Sequence, residues 1–120
     1  AVFDLGLGLL ATLWPDIYAS LMHGPLHPDA EFMIRRTGVL WLVFSLSEFL
    51  AFAKAPRWPT SVFAVGLLRL MDVPADAVYL VSSSSLTALG RASLIFAPIF
   101  NLAAGLYLIN AWRKRRPTEE

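Results

Sequence analysis

Arg69, Asp72 and Asp76 sit at spacings of three, four and seven residues inside an otherwise apolar run from Ser61 to Val81. Those spacings place the three side chains on one stripe of an α-helix. In water such a stripe would be ordinary. In a bilayer each charge costs roughly 3 kcal/mol or more unless it is paired or faces a protein interior. Arg69 and Asp72 are near the middle of the run, where reaching back to water is hardest, and Glu48 lies deep in the preceding apolar run. Two chemistries fit these residues. One is a polar cavity for a head group, an ion or a proton path, lined by Glu48, Arg69, Asp72, Tyr79 and Asn101. The other is a fully satisfied charge cluster that fixes helix packing and does no chemistry.

Asp16 and Arg36 are equidistant from the middle of the connection between them, and Asp76 and Arg91 are within about two residues of being so from the middle of theirs. On antiparallel neighbouring helices each pair would lie at matching depth. The spacing therefore predicts two structural ion pairs, Asp16–Arg36 and Asp76–Arg91. His23 and His27 are four apart, as metal or tetrapyrrole ligands on a helix would be, but Gly24 and Pro25 lie between them and no third ligand follows. A solvent-facing loop is the expectation there, with no metal site. Ser82 to Ser85 have no histidine or lysine base at a recognisable spacing, so a nucleophilic role is not expected. No phosphate-binding glycine loop and no catalytic triad is present. The absence of cysteine excludes disulfides, thiolate metal sites and dithiol redox chemistry. The residues point away from an enzyme and identify no cofactor of the chain's own. A quinone or tetrapyrrole would be met only through a partner complex.

The elements that hold these residues follow from composition. Of 120 residues 57% are hydrophobic and 16% charged, against about 25% charged in an ordinary soluble domain. A soluble domain of this size cannot bury so much apolar surface, so the excess must face lipid. The net charge of +1 does not suggest nucleic acid. No basic stretch precedes the first apolar run and no convincing cleavage site follows, so a secretory signal peptide is not expected.

Four stretches reach the roughly 20 apolar residues that a membrane helix needs: 2–22, 32–53, 60–81 and 89–112. Prolines 25, 28, 56 and 59 suit helix boundaries, whereas 15, 74 and 98 fall within spans and predict kinks. Lys54, Arg57 and the Arg113–Arg116 cluster all fall on one side of this four-span arrangement. The positive-inside rule puts that side, with both termini, in the cytoplasm, and the expected location is the cytoplasmic (inner) membrane. Trp58 and Trp112 would mark the cytoplasmic interface, and the basic cluster would attract anionic lipid. Gly6, Gly8 and Gly105 would let helices approach closely. The large residues Trp41, Phe44, Phe49 and Phe52 would meet lipid or a partner protein.

The order Gly-Leu-Leu, Pro, Asp, Tyr occurs in residues 8–18 and again, with gaps, in 66–79; Arg36–Trp41 is likewise similar to Arg91–Phe96. Two parallel helical-hairpin repeats are one explanation, and chance similarity between hydrophobic sequences is the other.

Arg36-Thr-Gly38 opening an apolar span, with four helices in about this length, resembles the DoxX-like group of small bacterial membrane proteins. The resemblance implies a four-helix bundle and, for some relatives, association with quinone-linked oxidoreductases. Small multidrug transporters share length and span number but depend on a glutamate in the first helix, where this chain has only Asp4 and Asp16. The expected architecture is thus an all-α bundle of four transmembrane helices in one membrane domain. The leading expected function is an accessory or scaffolding subunit of a larger, energy-transducing membrane complex, in contact with lipid and other membrane subunits. A quinone- or small-molecule-binding protein is the second reading, and a small homo-oligomeric transporter the third.

Overall fold

A computed structural model describes residues 1–25 and 30–114. Among them all regular structure is helical: α1 (Val2–Leu13), α2 (Pro15–Met22), α3 (Glu31–Lys54), α4 (Pro59–Ser82) and α5 (Ala88–Arg113).

The first expected span, 2–22, is two helices rather than one kinked helix, and α1 and α2 are bent by 114°. Pro15 has no N–H to continue the ladder, and its ring drives the preceding residue out of the helical region. Trp14 accordingly takes φ −132°, ψ 65°, and Pro15 starts α2 in the first turn, where its missing donor is no loss. Pro74 and Pro98, by contrast, lie inside α4 and α5, which run on through them.

The chain divides into two compact units. One comprises Ala1–Ser47 with Ser83–Ser93, and the other Glu48–Ser82 with the chain from Leu94 onward. This partition does not follow the suspected duplication, because each unit draws on both halves of the sequence.

In the first unit α1 runs antiparallel to the beginning of α3. Ser45 Oγ donates to the Ala1 carbonyl at 2.9 Å, and Arg35 Nη1 donates to the Thr12 carbonyl at 2.5 Å. Between those contacts the two backbones nearly touch. A Cβ on Gly8 would lie 2.9 Å from the Gly38 carbonyl, and one on Gly38 would lie 2.5 Å from Thr12 Oγ1. Gly6 has open space around it and plays no such part. In α2, Tyr18 meets Trp41 edge-on, with ring centroids 5.7 Å apart. Beyond Met22 the carbonyls at the end of α2 are met by Thr87: its N–H donates to Met22 O at 3.0 Å, and its hydroxyl donates to Leu21 O. The same Thr87 oxygen accepts from Gly90 N–H at 3.0 Å, so one residue closes α2 and caps α5.

In the second unit α4 and α5 are antiparallel. Phe63 lies 4.6 Å from Trp112 at one end, and Arg69 reaches Asn101 nearer the other. Glycine again marks the crossing: a Cβ on Gly66 would lie 3.2 Å from the Gly105 carbonyl, and one on Gly105 2.9 Å from the Gly66 carbonyl. Both glycines of the recurring Gly-Leu-Leu, Gly8 and Gly66, therefore sit at a helix–helix contact.

Side-chain sizes are inverted relative to a water-soluble core. The buried apolar side chains are Ala11, Ala19, Ala51, Ala55, Val62 and Val65, whereas Phe32, Phe52, Phe96, Ile99 and Leu106 are exposed. Lipid is as apolar as leucine, so nothing drives large residues inward, and small ones let backbones approach. Two helices, α3 and α5, are long and apolar enough to cross a membrane, and a third crossing exists if the bent pair α1–α2 is one broken span.

Candidate functional site

α4 has polar residues at its centre because Arg69, Asp72 and Asp76 fall a turn apart along one face. The face is occupied by side chains of α3 and α5. Arg69 is 4% exposed; its Nε donates to Glu48 Oε1 at 2.5 Å, and its Nη1 donates to Asn101 Oδ1 at 2.9 Å. Asn101 is buried in turn, and its Nδ2 donates to Asp76 Oδ2 at 3.3 Å. The guanidinium also lies 5.9 Å from the centre of the Phe100 ring, within cation–π range. One cation thus organises a chain that runs Glu48, Arg69, Asn101, Asp76 across three helices of one unit.

The electrostatics follow from burial. A charge-assisted pair with both side chains nearly dry is far stronger than its exposed counterpart, and its loss is correspondingly costly. Asn101 suits the bridging position because an amide offers an acceptor to the guanidinium and a donor to the carboxylate. The three hydrogen bonds form one connected set, and among the described residues no group of three or more histidines, cysteines or carboxylates could hold a metal ion.

Of the five residues expected to line a polar cavity, Glu48 and Asn101 both accept hydrogen bonds from Arg69. Asp72 is half-buried and engaged with a neighbour, while Tyr79 is exposed on α4. Asp76, expected to pair with Arg91, takes its hydrogen bond from Asn101. Arg91 is exposed and makes no side-chain hydrogen bond or ion pair among the described residues.

Asp16 and Arg36 are exposed and do not form the expected pair. The break at Trp14 carries α2 away from the line of α1, and Arg35 is the arginine that reaches the broken end. It also pairs with Glu31 at 2.8 Å. His23 is half-buried beside Tyr18, ring centroids 6.4 Å apart, and His27 lies outside the described residues.

Arg35, Ser45 and Thr87 were not singled out by sequence reasoning, although all three hold the first unit together. Thr87 had a legible signal, a threonine just before an apolar run with glycine three residues on. Arg35 and Ser45 had none, because each bonds a backbone carbonyl more than twenty residues away.

Comparison of the chain with protein-family models, with curated proteins and with solved structures finds no match.

Proposed function

We propose that this chain is an accessory or scaffolding integral membrane subunit, spanning the bilayer as a four-helix bundle and serving a larger complex of the energy-transducing kind. The observation that carries this reading is the division of its side chains. Arg69 is bonded to Glu48 and Asn101, and Asp76 to Asn101, whereas large apolar residues of α3 and α5 are exposed. A helix whose charges are absorbed in this way presents an apolar exterior, so α4 crosses the membrane despite carrying three charges, and α1–α2 crosses as a broken span. Exposed Phe49, Phe52, Phe96 and Phe100 offer broad surfaces for lateral packing against lipid or neighbouring subunits. The basic residues Lys54, Arg57, Arg113 and Lys114 support, through the positive-inside rule, an orientation with both termini cytoplasmic in a bacterial inner membrane. The resemblance to DoxX-like proteins supports the same setting.

A second reading has one specific observation in its favour. Arg69 is buried at mid-helix with an aromatic ring beside it, which suits a small apolar ligand carrying a polar head, such as a quinone.

Gentle purification from native membranes tests the primary reading. Larger membrane proteins should accompany the chain in fixed stoichiometry through two successive separations. A chain that persists as an isolated monomer under the same conditions overturns it. Binding of a quinone by that monomer, lost on Arg69→Lys with the fold intact, would establish the second reading instead.

A further inference from the structure

The turn joining α3 to α4 and the end of α5 gather charge of one sign. Lys54, Arg57, Arg113 and Lys114 are all exposed, and among the described residues none of them forms an ion pair or a side-chain hydrogen bond. The 4.6 Å contact between Phe63 and Trp112 holds the last turn of α5 against the first turn of α4, so the four cations share one end of their unit. The described carboxylates of that unit are Glu48, Asp72 and Asp76. Glu48, the nearest along the chain to Lys54, is six residues away, about 9 Å along a helix, and it is already bonded to Arg69. Among the described residues nothing acidic neutralises this end of the unit.

Two further features narrow the partner. Lys54 Nζ lies 5.1 Å over the ring of Trp58, and that ring is 64% exposed, an arrangement suited to the boundary between hydrocarbon and headgroup. Directly along the helices from the cations the surface becomes apolar, with Phe52 on α3 and Leu106 and Tyr107 on α5 all exposed. A soluble anion would use the charges and leave that stem uncovered. An amphiphile uses both.

We propose that the Lys54–Trp58 turn, with Arg113 and Lys114, is a binding site for an anionic phospholipid. The headgroup phosphate lies among the four cations and the acyl chains lie along the adjoining apolar helix surfaces. The site depends on integration in a bilayer and not on the presence of any partner subunit. Its failure therefore leaves the subunit reading standing, and the reverse also holds.

Native mass spectrometry of the detergent-purified chain, offered phosphatidylglycerol and phosphatidylcholine of identical acyl composition, tests the site. The anionic lipid should be retained in preference by about fivefold, the weight of a single basic residue near an anionic surface. Lys54→Gln with Arg57→Gln should remove most of that preference. Arg36→Gln with Arg91→Gln removes the same charge from exposed positions elsewhere and should preserve it. Equal retention of the two lipids by the unmodified chain overturns the proposal, as does equal loss in both double variants. Complete displacement of the lipid by inorganic phosphate would also overturn it, because the ligand would then be a soluble anion.

Discussion

Arg69 carries the second unit, and its value is best read from what its removal would leave behind. Arg69→Leu would strand the Glu48 carboxylate and the Asn101 amide in a dry setting, a change that costs about 3–5 kcal/mol where a buried pair loses one partner. Replacing both charges with apolar residues of similar volume removes the uncompensated charge with them. Glu48→Leu combined with Arg69→Leu should therefore recover most of the stability lost by the single variant, to within about 1 kcal/mol of the unmodified chain. Thermal unfolding in detergent reads the cycle. A double variant as unstable as the single would mean that Arg69 matters through Asn101 and Asp76 rather than through Glu48.

At the scale of elements the joints are set by backbone chemistry. Pro15 stops α1, and the carbonyls exposed by that stop and by the end of α2 are met by distant donors, Arg35 and Thr87. Thr87 serves both helices at once, its N–H and hydroxyl donating to the Leu21 and Met22 carbonyls of α2 and its hydroxyl oxygen capping α5. Thr87→Ala should destabilise the chain by about 1–2 kcal/mol, the loss of a helix cap together with an acceptor left unmet. Thr87→Ser should retain most of it, since the hydroxyl is kept. The apparent melting temperature of the two variants separates a hydroxyl effect from a packing effect. Loss in both would assign the role to the threonine methyl group instead.

At the scale of the whole molecule the open quantity is the number of crossings. α3 and α5 satisfy length and apolarity directly, and α4 does so only if its charges are treated as internal to the protein. The chain has no native cysteine, so single introduced thiols report unambiguously. If α4 crosses, Ser84→Cys should react with a membrane-impermeant maleimide in intact cells, and Pro56→Cys should react only after permeabilisation. Labelling of both positions from the same side would show that α4 does not cross, and the four-span arrangement would fall.

Composition and periodicity alone determined that the chain is helical, that much of its apolar surface must face something other than water, and that the centre of 60–81 needs polar partners. These are local properties: hydropathy is summed over a window, and a helical stripe repeats every three or four residues. Glu48 and Asn101 were legible as members of one polar set with Arg69, because buried charges in a span admit few alternatives. Tertiary structure alone decided that Asp76 bonds Asn101, that Arg35 rather than Arg36 reaches the end of α1, and that Pro15 breaks its helix while Pro74 and Pro98 do not. A proline removes the same donor at all three positions. Whether the helix stops there depends on what receives the freed carbonyls, and in the first unit Arg35 comes from a helix that begins sixteen residues beyond Pro15.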